Sequence, residues 1–176
     1  MGVDRIYMDS ACFIEAVQSS IGQGQTGRER DLWFIKQLLV ASKSGEVEVI
    51  TSYLTLAECR GSLKDGPPSD EVKRLIRSIL SSGKVVKLAQ LTKATAERAR
   101  DLVWNDNLNL DGADAVHVAT ALVTGCKEFL TFDRTSRKAP LKYANELRSF
   151  GLMAIEPSAS TLLPAHYFQR QLPNTK

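Results

Sequence analysis

Residues 5–17 read RIYMDSACFIEAV. Ile6, Tyr7 and Met8 form a short apolar run with the β-branched and aromatic character that suits a pleated strand. The run stops at Asp9. From Ser10 onward apolar residues return at helical spacing, with Ser10 as a candidate N-cap. The stretch therefore predicts a strand, an acid at its carboxyl end and a helix.

The same alternation continues along the chain. Strand signals recur in EVEVIT (46–51), KVVKLA (84–89), EFLTF (128–132) and LMAIE (152–156). Between them lie helical patterns through WFIKQLLVAS, TSYLTLAECRGSL, EVKRLIRSIL, ATAERARDLVW, ADAVHVATALVTG and KYANELRSFG. Ser69 is placed to cap the third of these, and Asp70 and Glu71 suit its first turn. Glu58 falls about two turns into the TSYLTL helix. Strands separated by helices imply right-handed crossovers and a mainly parallel central sheet covered on both faces, an α/β three-layer arrangement. In such sheets the site lies beyond the carboxyl ends of the strands. Asp9 and Asp133 each follow a strand candidate, so two distant acids are expected at one edge.

At 176 residues and 43% hydrophobic content the chain fits one domain with a continuous core. No long apolar run and no leader pattern stands in it, so a cytoplasmic, non-membrane protein is expected. Cys12, Cys59 and Cys126 are far apart and form no C-x-x-C pair, which argues against a disulfide framework or a thiolate zinc site. Only His117 and His166 are present, so strong chemistry is expected to use carboxylates. The net charge of +3 is uneven: residues 1–60 carry 6 basic and 8 acidic side chains, the remainder 17 and 12. That mild excess is compatible with a polyanionic partner and does not require one.

The segment SSIGQGQTGRERD lacks the G-K-[ST] ending of a phosphate-binding loop and reads as a glycine-rich connection. Residues 156–176 are a C-terminal tail with three prolines, expected to order only by docking, beyond a single domain at 1–155.

An aspartate after one strand is ordinarily a turn former or helix cap. Here YMDS (7–10), TLAEC (55–59), DGADAVHVATAL (111–122) and FLTFDR (129–134) occur in order. This set resembles the PIN-domain nucleases, especially VapC-like toxins, nearly to residue 155. The resemblance implies a PIN-like fold and an acidic site of Asp9, Glu58, Asp114 and Asp133, with Ser10 and Thr131 as hydroxyl neighbours. It also implies Mg²⁺ or Mn²⁺ as cofactor, an RNA substrate cut to 5′-phosphate and 3′-hydroxyl ends, a cognate VapB-like antitoxin and homodimerisation. Carboxylates suit such chemistry because hard divalent ions prefer oxygen donors, polarise phosphate and activate water.

Other residues have two readings. Asp111 is an additional acid for the site or simply the N-cap of the helix that carries Asp114. His117 lies one turn after Asp114, but its apolar neighbours favour a packed structural histidine over a metal ligand. Arg28, Arg30, Arg134, Arg137 and Lys138 are candidates for RNA phosphates or a solvated surface run. Trp33 and Trp104 read as core anchors. Two alternatives accompany the toxin reading: an RNA-processing PIN nuclease without an antitoxin, and a PIN scaffold that binds RNA or protein without cutting. The intact acid quartet argues against the second. The D-x-D pattern of a phosphoaspartate phosphatase is absent from MDSACF.

Overall fold

Ile6, Tyr7 and Met8 are all fully buried, as a strand must be when helices cover both faces of its sheet. Burying side chains of this size contributes about 1.5–3 kcal/mol each. They belong to β1 (Asp4–Met8), the central strand of a five-stranded parallel sheet in a computed structural model that describes residues 2–60, 67–134 and 137–171.

The other strands are β2 (Val47–Ser52), β3 (Lys87–Ala89), β4 (Glu128–Leu130) and β5 (Met153–Ile155). Their order is β3-β2-β1-β4-β5, with every neighbouring pair parallel. From β1 the chain winds outward to β2 and β3, then returns to β4 on the other side of β1. The reversal opens a crevice beyond the carboxyl ends of β1 and β4. The Asp9 N–H donates to the Leu130 carbonyl at 3.1 Å, which closes the β1–β4 seam at the lip of that crevice.

Helices cover the two faces. α1 (Ser10–Ser20), α2 (Glu29–Lys43), α3 (Tyr53–Glu58) and α4 (Asp70–Ile76) precede β3, and α4 runs on into a π-helical turn, Arg77–Ser81. α5 (Lys93–Trp104) and α6 (Gly112–Val123) lie between β3 and β4, and α7 (Ala144–Ser149) precedes β5. Alternation along β1 divides the core. Ile6 and Met8 join Phe13, Ile35, Leu38 and Leu130 on one face, whereas Tyr7 joins Leu102, Val118, Phe129 and Leu147 on the other.

The tail docks. Leu163 and Tyr167 are buried among the α1–α2 side of the core, and the Ser158 N–H donates to Asp31 at 2.8 Å. The buried Glu128 carboxylate accepts the Ser160 hydroxyl at 2.6 Å and both the N–H and hydroxyl of Thr161 at 2.8 Å. The Tyr167 hydroxyl donates to Glu46 at 2.7 Å. A sequence with little periodicity is thus held by acids on α2, on β4 and before β2.

Three local expectations need correction. The N-cap of α1 is Asp9, not Ser10, because the Asp9 carboxylate accepts the Cys12 N–H at 3.3 Å. Glu58 ends a helix of only 6 residues instead of lying two turns inside a longer one. β4 closes at Leu130, so Asp133 stands three residues beyond the strand. Residues 61–63 of the TSYLTL pattern lie outside the described residues.

Candidate active site at the carboxyl edge of the sheet

Asp9 reaches the crevice because β1 ends one residue before it and α1 begins one residue after it. Its side chain is only 7% exposed. Burial pushes its carboxyl above the ordinary range, opposed by hydrogen bonds from the Thr131 hydroxyl and the α1 backbone and by the charge interaction with His117. Thr131 is fully buried and also accepts the Asp133 N–H at 3.1 Å through its hydroxyl oxygen. One hydroxyl therefore ties Asp9 to the segment carrying Asp133.

Asp114 lies in the first turn of α6, where the helix dipole favours an anion. Even so, its carboxyl is pushed up to about 6, first by burial and then by the charges of Asp133 and Asp9. Like charges raise a carboxyl pKa only when they are close and poorly compensated. Asp9, Asp114 and Asp133, from three separate segments, are therefore electrostatic neighbours.

Glu58 enters from α3 and is set differently. His117 Nε2 stands 2.7 Å from Glu58 Oε2, and this bond holds the Glu58 carboxyl below its ordinary range against the effect of burial. The Ser10 hydroxyl also hydrogen-bonds Glu58 and lowers it further. His117 interacts electrostatically with Asp9 and Asp114 as well, so it stands among all three acids.

Among the described residues, no group of three or more His, Cys, Asp or Glu side chains forms a ready set of metal ligands. The donor chemistry nonetheless fits a hard divalent cation: the acids offer oxygens, and Asp114 is disfavoured as an anion by burial and then by the charges of Asp133 and Asp9, which a cation would offset. Asp9 and Asp133 lie close enough to Asp114 to repel it.

The remaining candidates separate by their partners. Asp111 occupies the N-cap position of α6 through its backbone, but its side chain makes no capping bond and instead meets Lys138 at 2.8 Å. Arg28 pairs with the buried Glu15 at 3.1 Å and lies 4.3 Å over the Phe132 ring. Glu15 also accepts the Gln25 N–H at 2.6 Å, and Gly27, at φ +86°, lets the loop turn back toward Phe132. Arg28 thus fastens this loop against Phe132, the residue before Asp133. Arg134 pairs with Glu156. Arg30 and Arg137 are exposed, and no ion pair involves them among the described residues. Trp104 is 70% exposed and lies 5.0 Å from the Arg100 guanidinium, so the expectation of a core anchor does not hold there. Trp33 does pack against the core.

Sequence reasoning passed over the partnership of His117 with Glu58 and Tyr7. Its one available signal was the spacing from Asp114, which puts the histidine one turn along the same helix. Nothing in the sequence indicated that Tyr7, 110 positions away, would meet it.

The chain belongs to the PIN domain family: the profile of that domain matches residues 6–141. The fold is shared with a crystal structure described as VapBC2 from Rickettsia felis bound to a DNA fragment from their promoter. That likeness has a TM-score of 0.59 and 10% identity over 86% of this chain and 99% of the other. It is also shared with VapC20 of Mycobacterium tuberculosis, described as a Sarcin-Ricin loop cleaving toxin, at TM-score 0.51 and 22% identity over 74% of this chain and 91% of the other. No curated protein matches the chain in sequence. No helix among the described residues is long and apolar enough to cross a membrane.

Proposed function

We propose that the chain is a divalent-metal-dependent endoribonuclease with Asp9, Glu58, Asp114 and Asp133 as its acidic site and Ser10 and Thr131 in support. One observation carries this reading: acids following β1, within α6 and after β4 come together at the switch point of a PIN fold, where burial first and then the charges of Asp133 and Asp9 push Asp114 to about 6. Isolated surface acids would have no reason to be gathered there.

The chain's own residues supply placement. Asp9 is fixed by its bond to Cys12, Thr131 links Asp9 to Asp133, and Ser10 and His117 restrain Glu58. Mg²⁺ or Mn²⁺ bound by these carboxylates would polarise the scissile phosphate and activate water for phosphodiester hydrolysis. Asp111, paired with Lys138, is a further acid at the start of α6. Arg30 and Arg137 are exposed cations suited to backbone phosphates. Arg28, Arg134 and Lys138 would have to exchange their present acidic partners to bind phosphate.

The biological setting that fits is the toxin of a VapBC-like pair, acting in the cytoplasm, homodimeric, and restrained by an antitoxin over the acidic edge. An Arg or Lys from such a partner would neutralise the carboxylates. The test is incubation of the purified protein with total RNA in Mg²⁺, in Mn²⁺ and in EDTA, followed by mapping of the ends. Metal-dependent products with 5′-phosphates are expected. Absence of cleavage in both metals would overturn the nuclease assignment.

A further inference from the structure

Glutamate has three side-chain torsions, so a carboxylate at the end of a 6-residue helix has little reason to hold one position unaided. Glu58 has an external restraint. His117 is 3% exposed, and both ring nitrogens are engaged: Nε2 with Glu58 Oε2 at 2.7 Å and Nδ1 with the Tyr7 hydroxyl at 2.7 Å. Ser52 Oγ stands 3.4 Å from Nδ1.

The chain of bonds has a direction. Tyr7 is fully buried, its ring stacks on Phe129 at 5.3 Å and 3°, and its hydroxyl lies 2.7 Å from Nδ1. A phenol is protonated at neutral pH, so this hydroxyl can donate to an unprotonated Nδ1. A neutral imidazole accepting at Nδ1 carries its proton on Nε2, facing the carboxylate, whereas the other tautomer would turn a lone pair toward Glu58.

We propose that His117 is the positioning residue of Glu58, with Tyr7 fixing the Nε2–H tautomer that orients the carboxylate toward the acidic site. The inference rests on the acidic-site reading above and assigns His117 no contact with metal or RNA. Partners that orient ligating carboxylates contribute to a site even without touching what it binds.

The test uses the whole chain and two readouts, Mn²⁺ affinity by electron paramagnetic resonance and the separated kcat and KM for RNA. His117→Ala should weaken Mn²⁺ binding and lower kcat by about 10- to 100-fold, with KM little changed. His117→Gln, whose amide N–H can still donate to Glu58, should recover much of that loss. Tyr7→Phe keeps the stacked ring and removes only the hydroxyl, so an intermediate loss is expected even if His117→Ala does not fold. In metal-free wild type, side-chain ¹⁵N spectra should place the His117 proton on Nε2, and Glu58→Gln should shift that N–H resonance.

Folded His117 and Tyr7 variants with wild-type Mn²⁺ affinity and kcat would overturn the inference and leave the nuclease reading standing. An Nδ1–H tautomer would overturn it too. Wild-type protein that neither binds Mn²⁺ nor cleaves RNA would instead overturn the nuclease reading and this inference with it, and the nitrogen spectrum would still decide whether His117 bonds to Glu58.

Discussion

The Asp9 carboxylate accepts the Cys12 backbone N–H at 3.3 Å, so one buried side chain both caps α1 and faces the acidic crevice. The two duties can be separated by substitution. Asparagine caps about as well as aspartate but carries no charge. Asp9→Asn should therefore keep the fold, match or exceed wild-type stability in EDTA, and lose metal-dependent cleavage. Asp9→Ala should lose the cleavage and also about 1 kcal/mol of stability relative to the asparagine variant. Urea unfolding of the pair measures this, and equal midpoints would deny the cap any weight.

That double role explains what sequence reading could reach. The alternating strand and helix signals suffice for a parallel α/β sheet with Asp9 at a carboxyl edge, because burial on both faces leaves continuous apolar runs such as Ile6–Tyr7–Met8. The choice between Ser10 and Asp9 as cap depends on side-chain geometry, and either residue type qualifies. The bonds of His117 to Tyr7 and Glu58 join positions 110 and 59 residues apart, and no local periodicity encodes such a meeting. The tail was opaque for a related reason: Ser158, Ser160 and Thr161 are fixed by acids on other elements, which leave no pattern within the tail itself.

Thr131 offers a second test, since its hydroxyl serves Asp9 and accepts the Asp133 N–H at 3.1 Å. Thr131→Val preserves shape and strand preference but removes both bonds. A buried polar group left without its partner costs about 1–3 kcal/mol, so stability should fall by that order and Mn²⁺ affinity should fall with it. Thr131→Ser should retain both properties. A valine variant indistinguishable from wild type in melting and metal titration would remove Thr131 from the site.

Glu128 concerns the tail alone. Its buried carboxylate takes three hydrogen bonds from Ser160 and Thr161, and Glu128→Ala would strand those donors. The expected loss is about 1–3 kcal/mol, the cost of leaving buried hydrogen-bonding groups without a partner. Hydrogen exchange should accelerate first across residues 157–168. If exchange there is unchanged while β4 loosens, the acid supports the sheet and not the tail.

Asp114 links the electrostatics of the crevice to stability, and its sign can be worked out. Its carboxyl rises from the ordinary 3.8 to about 6 in the folded chain, so the folded state holds this proton more tightly than the unfolded state. The stability from that proton is present at low pH and lost as pH climbs from about 4 through about 6. In EDTA, Asp114→Asn should therefore melt higher than wild type at pH 7, with the advantage shrinking toward pH 5. Comparing the two proteins at each pH cancels the titration of groups they share. Saturating Mg²⁺ or Mn²⁺ should reverse the order, because a ligand bound only by the folded state stabilises it by RT ln(1 + [L]/Kd) and the variant has lost a carboxylate oxygen. At a hundredfold excess over Kd that effect is about 2.7 kcal/mol, well above the few tenths expected of an exposed substitution. Thermal melts at pH 5 and pH 7, with EDTA and with metal, decide the matter. A midpoint shift of one sign and size in all four conditions would make Asp114 a helix-start residue and no part of a metal site.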